Sequence, residues 1–142
     1  RLPLGWQVGS HEKLDLLAGS QLEDELENGT KFRATLNVKV APHPSEITSF
    51  AGYEAVYKNE IFKSYPSMEE ISSSSTKFDG VDVYVLNVRN TGPDGTVVRQ
   101  TAYLFYLNDK YFAAVWVAAA EETWDSYSSV FNDSVRTLKI VE

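Results

Sequence analysis

The sequence predicts an α+β fold: a mostly antiparallel sheet flanked by helices, in an α/β/α sandwich. Three observations carry this. Two segments repeat large apolar residues at helical spacing. Between and before them lie runs with the two-residue period of strands. One of those runs, "TVVRQTAYLFYL", is apolar on both faces, with Ala102, Leu104 and Tyr106 on one side and Tyr103, Phe105 and Leu107 on the other. A strand apolar on both sides has to be covered on both sides.

The N-terminal third reads least clearly. "GWQVGS" and "KLDLLAG" resemble short strands, and "EDELENG", Glu23 to Gly29, reads as an acidic surface turn or loop. In "KFRATLNVKVAP", Phe32, Ala34, Leu36, Val38 and Val40 alternate with Arg33, Thr35, Asn37 and Lys39. Nine residues at period 2 make a strand, and Pro42 and Pro44 stop it.

In "SEITSFAGYEAVYKNEIFKSYP", Phe50, Tyr53, Tyr57, Ile61 and Tyr65 fall on one helical stripe. Ser45 or Ser49 can start this helix, Pro66 ends it, and Gly52 weakens its first turn. Four strands in a meander follow. "MEEISSSSTKF" reaches the Asp79-Gly80 turn pair, "VDVYVLNVRN" the "TGPDG" turn, "TVVRQTAYLFYL" the Asn108-Asp109 turn, and "KYFAAVWVAAA" closes the set. A DG pair favours a tight hairpin. The Ser72–Ser75 run, placed before it, reads as a weakly patterned edge strand rather than a linker. The C-terminal helix has Trp124, Tyr127, Phe131, Val135 and Leu138 on one stripe, polar residues elsewhere and Thr123 as cap. "TLKIV" turns β-branched and predicts a final strand or extended tail.

The 142 residues fit one domain, 1–142, and 43% hydrophobic content supplies its core. There is no internal repeat and no linker. The absence of cysteine removes disulfides, thiolate metal sites and a Cys nucleophile. A net charge of −7 without a Lys/Arg cluster disfavours nucleic acid and anionic membrane as partners. No apolar run has the length of a transmembrane helix. The chain starts at Arg1 rather than Met, which reads as a chosen boundary or a processed leader.

No catalytic motif occurs: G-x-S-x-G, P-loop, G-x-G-x-x-G and H-E-x-x-H are all missing. The reading is non-enzymatic, with no cofactor. His11 and His43 are 32 positions apart. They read as two exposed loop histidines, or as one His of a mononuclear metal site completed by carboxylates. Glu23, Asp24, Glu25 and Glu27 are the candidate ligands for a hard cation, although they lack EF-hand spacing; the other reading is a solvated acidic loop. Trp6, Trp116, Trp124, Tyr53, Tyr57, Tyr84, Tyr103, Tyr106 and Tyr111 either line an apolar ligand pocket or are core. The Asn28 and Asn132 sequons are at the chance level.

The order of elements resembles the PsbP/Mog1/DcrB-like superfamily. The residues that carry it are the "LPLGW" opening, the strand "FRATLNVKV", the hairpin "FDGVDVYVLNV" and the ending "YLFYLNDKYFAAVWVAAAEETWDSYSSVFNDSVRTLKI". The resemblance implies the sandwich fold and a bias towards non-catalytic, exported, partner-binding roles, with no active site to transfer. The leading expectation is a non-catalytic, extracytoplasmic protein-binding domain, secreted or lipid-anchored through a segment before Arg1. The alternatives are a small-ligand or divalent-metal module, and an intracellular adaptor or chaperone of the DcrB-like type.

Overall fold

The computed structural model describes residues 2, 5–9, 15–20, 23–47 and 49–137. The strands, in chain order, are β1 (Gln7–Gly9), β2 (Leu16–Gly19), β3 (Asp24–Glu25), β4 (Lys31–Phe32), β5 (Thr35–Pro42), β6 (Glu69–Phe78), β7 (Val81–Thr91), β8 (Val97–Tyr106) and β9 (Tyr111–Ala120). The helices are α1 (Tyr53–Ser64) and α2 (Trp124–Arg136). Seven strands form one antiparallel sheet in the order β1-β2-β5-β9-β8-β7-β6, and β3 pairs with β4 beside it.

The two-sided apolar pattern places a core on each face. On one face Tyr103, Phe105, Val115, Val117, Leu36 and Val83 meet Phe131 and Val135 of α2. On the other, Ala102, Leu104, Tyr84, Leu86 and Val88 meet Tyr53 and Tyr57 of α1. Successive residues of each strand therefore serve opposite cores.

The Ser72–Ser75 run lies in β6, which is the edge of the sheet and solvent-exposed from Glu69 to Lys77. A bulge between Glu70 and Ser72 breaks its register with β7. The turn into β7 uses Asp79 at φ 49 and Gly80 at φ +79, both left-handed, as a DG hairpin requires.

Several expectations change in detail. The run from Phe32 to Val40 is not one strand. Phe32 pairs with Asp24 in the β3–β4 hairpin, the chain leaves the ladder at Arg33 and Ala34, and β5 begins at Thr35. The Arg33 guanidinium donates to the Ser20 carbonyl at this break. The acidic segment is thus a small hairpin rather than a plain loop. The first helical turn of α1 is a 3-10 turn, Phe50–Gly52, entered from an extended Ser49, in keeping with the weak helix preference of Gly52. Asn108-Asp109 is not a two-residue turn. The loop runs from Leu107 to Lys110, and the Asn108 Oδ1 accepts from the Lys110 and Tyr111 amides, so the side chain closes what the backbone alone does not. Thr123 precedes α2 but does not cap it; its hydroxyl donates to the Ala120 carbonyl instead. The expected last strand beyond Thr137, with Leu138, and His11 lie outside the described residues.

Candidate functional site

Pro42 ends β5. The next residue, His43, is locked at both ends. Its amide donates to the Lys110 carbonyl at 2.9 Å, and its Nε2 lies 2.7 Å from the Asn108 carbonyl oxygen. A carbonyl only accepts, so the hydrogen bond assigns the ring proton to Nε2. Nδ1 is buried without a partner.

The imidazole stacks on Tyr106, with centroids 4.7 Å apart and planes inclined by 27°, and lies near-parallel to Phe112 at 5.8 Å. Tyr53 meets the His43 ring edge-on at 5.9 Å. Tyr53 also contacts Phe50 at 5.5 Å, Tyr57 at 4.5 Å and Tyr106 at 5.5 Å, and Tyr57 meets Phe112 at 4.7 Å. Six rings from α1, the 3-10 turn, β8, β9 and the His43 segment thus form one aromatic cluster.

The cluster is graded by exposure. His43, Phe50, Tyr106 and Phe112 are half-buried at its rim, whereas Tyr53 is 0% and Tyr57 6% exposed. Both buried hydroxyls lack a hydrogen-bond partner. Burial pushes the Tyr53 phenol far above its ordinary range, helped by its neighbours Tyr57 and Tyr106, and burial raises Tyr57 as well. Tyr106 differs: its hydroxyl donates to the Asp109 carboxylate at 3.1 Å. A buried polar group without a partner costs about 1–3 kcal/mol, so these atoms are unusual company for one another.

The sequence-predicted cation ligands do not converge. Glu23 forms an ion pair with Arg33 at 3.8 Å, and Asp24 accepts a 2.7 Å hydrogen bond from the Tyr127 hydroxyl. Glu25 is exposed, and the Glu27 amide donates to the Glu122 carboxylate. Among the described residues no three His, Asp or Glu side chains come together to hold a metal ion. His43 is not the exposed loop residue it resembles in the sequence, and its ring faces aromatics rather than carboxylates. Of the other aromatics, Tyr84 is buried, Trp6 and Trp124 pack with Phe131, and Trp116 is half-buried on the α1 side. Tyr111, at 46% exposed, stands outside the core. Asn28, the first sequon, is engaged through both side-chain atoms, with the Thr96 hydroxyl and the Thr30 amide.

The Asp24–Tyr127 bond ties the acidic hairpin to α2 across 103 positions of sequence. Tyr127→Phe removes the donor and leaves a half-buried carboxylate one partner short. The expected cost is about 1 kcal/mol, a Tm drop of a few degrees by thermal melt. An unchanged Tm would mean that water replaces the phenol at no cost.

The arrangement of strands and helices has counterparts. No family model matches the chain, and no curated protein matches it in sequence. Solved structures do. The cyanobacterial PsbP, CyanoP, of Synechocystis superposes with a TM-score of 0.67 at 17% identity, covering 98% of this chain and 84% of its own. LpqN of Mycobacterium tuberculosis, involved in cell envelope biogenesis, gives 0.67 at 10% identity over 93% of this chain and 76% of its own. The Ran-binding protein Mog1p of Saccharomyces cerevisiae gives 0.53 at 12% identity over 91% and 76%.

The chain has the PsbP/Mog1-like fold.

Within this PsbP/Mog1-like fold the sequence motifs that carry the resemblance are architectural. "FDG" makes the β6–β7 turn, and Trp124 and Tyr127 of the W-x-x-Y helix pack on the Phe131 core. The ending also supplies Tyr106 and Phe112 to the His43 cluster. The cluster was missed in the sequence because Pro42-His43-Pro44 reads as a strand stop. The one available signal was the placement of a histidine between two prolines, immediately before an aromatic helix stripe.

Proposed function

We propose that the chain is a single-domain, non-catalytic, extracytoplasmic binding module that takes another protein along β6. The observation that carries this reading is the edge. β6 runs ten residues, exposed from Glu69 to Lys77, and no strand pairs with its outer side among the described residues. An unpaired edge offers a row of backbone donors and acceptors to an extended segment of a partner, which adds as a further strand. The serines keep the edge soluble and leave the backbone uncovered. Below it, the strand is firmly held. Glu70 pairs with Lys58 of α1 at 2.6 Å, Ser75 donates to Glu54, and the Asn87 amide donates to Ser72 at 3.0 Å. A rigid template loses little order when a partner strand docks.

The fold supports the same direction. It is the fold of a Ran-binding protein and of an envelope-biogenesis protein, and none of the three counterparts is described as an enzyme. The extracytoplasmic part of the proposal rests on the resemblance to PsbP and LpqN.

The test places a photo-crosslinking residue at Ser73 or Ser74 of the full gene product in its own cells, with Glu60 on the exposed side of α1 as the control. The expected result is a discrete adduct at the β6 positions and none at Glu60. Adducts of equal pattern at both places, or none at either, would reject the edge as the docking surface. Protease protection in cells whose outer layers are opened but whose cytoplasmic membrane is intact would reject the location.

A further inference from the structure

We infer that the strand taken up along β6 is the β6 of a second copy of this chain, paired antiparallel across a two-fold axis at Ser74. The inference rests on β6 as the docking edge, and it names the occupant of that edge.

The register comes from the bulge. β6 meets β7 through nine residues between Glu69 and Phe78, and Ile71 is left out of the ladder. Ser74 is the middle one of the nine. Two identical strands paired antiparallel are related by a two-fold axis perpendicular to the sheet, so facing residues lie on the same side of it. An axis at Ser74 pairs the whole strand. Ser72 then faces Thr76 of the second copy, Ser73 faces Ser75, and Glu70 faces Lys77.

The charges fit this register. Glu70 pairs with Lys58 of α1 at 2.6 Å, and Ser75 donates to Glu54 of α1, so both lie on the α1 side of the sheet. Lys77, two residues beyond Ser75, lies on that side too. Glu70 and Lys77 are an odd number of positions apart, and in a regular strand they would point to opposite faces. The extra residue Ile71 reverses the count and brings them to one face. At each end of the pair, Lys58 and Glu70 of one copy then meet Lys77 and Asp82 of the other, with the signs alternating. The Lys77 side chain is 65% exposed and that of Glu70 33%, so each keeps surface for the second copy beside its own partner. No like charges face one another. Opposite charges and paired hydroxyls across a ladder are both favourable. Charges on an edge strand turn away strands that do not match them. A foreign strand would need an acid opposite Lys77 and a base opposite Glu70 at the same spacing. This chain carries that pattern in the reversed order that antiparallel pairing requires, and an isologous contact of this kind closes at two copies.

The test uses the whole chain at physiological salt, which screens the net charge of −7 on each copy. The chain has no cysteine, so single thiols report the axis. Facing Cα atoms at an axis residue are about 4.5–5.5 Å apart, within reach of a disulfide. Ser74→Cys should form a linked dimer under mild oxidation. Ser72→Cys, whose two copies would lie about 13 Å apart along the strands, and Glu60→Cys on α1 should link far more slowly. Light scattering of the unaltered chain should show a dimer fraction that grows with concentration. Glu70→Lys alone and Lys77→Glu alone should each weaken dimerisation roughly tenfold, because like charges then face one another at both ends. Mixing these two variants should restore it, since each meets the opposite charge in the other; damage to the fold of either variant would not be reversed by mixing. A chain that stays monomeric at about 0.5 mM would overturn the inference, since even a millimolar self-affinity shows there. So would Ser74→Cys linking no faster than the two controls, or a mixture no more dimeric than its components. The inference also falls separately from the reading beneath it. Crosslinks in cells from Ser73 or Ser74 to a different protein, with none between copies, would keep β6 as the edge and reject the second copy. No crosslink at all would reject both.

Discussion

Replacing Phe131 by Ala is expected to lower stability by about 3–5 kcal/mol, the range for deleting a buried aromatic side chain. Phe131 is 1% exposed and lies at the centre of the α2 core. Its ring meets Trp6 edge-on at 5.7 Å, Trp124 at 5.8 Å and Tyr127 at 5.9 Å. Trp6 comes from the N-terminal segment, Trp124 and Tyr127 from α2 itself, and the sheet residues of the same core lie opposite, so the cavity cannot close without moving several of them. For a chain of 142 residues the Tm should fall by more than about 10 °C. Leu86→Ala is the matching change on the other face: Leu86 is 0% exposed in the α1 core, and its loss should cost about 2–5 kcal/mol. The sheet separates the two sites, so the costs should add. The double variant then loses about 5–10 kcal/mol, comparable with the whole stability of an ordinary domain, and should fail to fold. Chemical denaturation of the three variants checks this. A cost below about 1 kcal/mol for Phe131→Ala would mean that α2 does not hold the sheet, and the two-core description would fall.

The two cores were legible because a strand reports both of its faces. Ala102 and Leu104 against Tyr103 and Phe105 announce a sheet covered twice, and the stripes of α1 and α2 supply the covers. The serine run was legible as an edge because nothing apolar alternates within it. The division of the strand at Arg33 was not legible. The alternation from Phe32 to Val40 is the same whether Phe32 pairs with Asp24 or continues β5, and only the hairpin closure decides. The His43 cluster was less legible still. The partner of Nε2 is 65 positions away, in a loop whose length the Asn108-Asp109 pair mis-states. A pattern of ring spacing tells that Tyr53 and Tyr57 go inside, and says nothing of whether a hydroxyl finds a partner there. Partners are a property of the assembled register, so a site defined by unpartnered atoms is not visible before the fold is.

Those same two phenols give the chain a sharp alkaline limit. Tyr53 and Tyr57 are both pushed above the ordinary tyrosine range, chiefly by burial, whereas in the unfolded chain they titrate near pH 10. A group whose folded pKa is raised contributes stability in full below its unfolded pKa and loses it as pH rises. Above about pH 10 the unfolded chain therefore releases two protons that the folded chain keeps. Stability then falls by about 2.7 kcal/mol per pH unit from this pair, and by pH 12 the loss is of the order of the total. Tyr127, raised by burial and by its bond to Asp24, and Tyr103, raised by burial against the opposing charge of Arg136, add to the slope. Denaturant midpoints measured from pH 8 to pH 12 should be flat at first and then drop steeply. In the Tyr53→Phe/Tyr57→Phe double variant the drop should become markedly shallower, since phenylalanine has no proton to release in either state. A wild-type curve that stays flat to pH 12, or a double variant as steep as the wild type, would place the two hydroxyls in water.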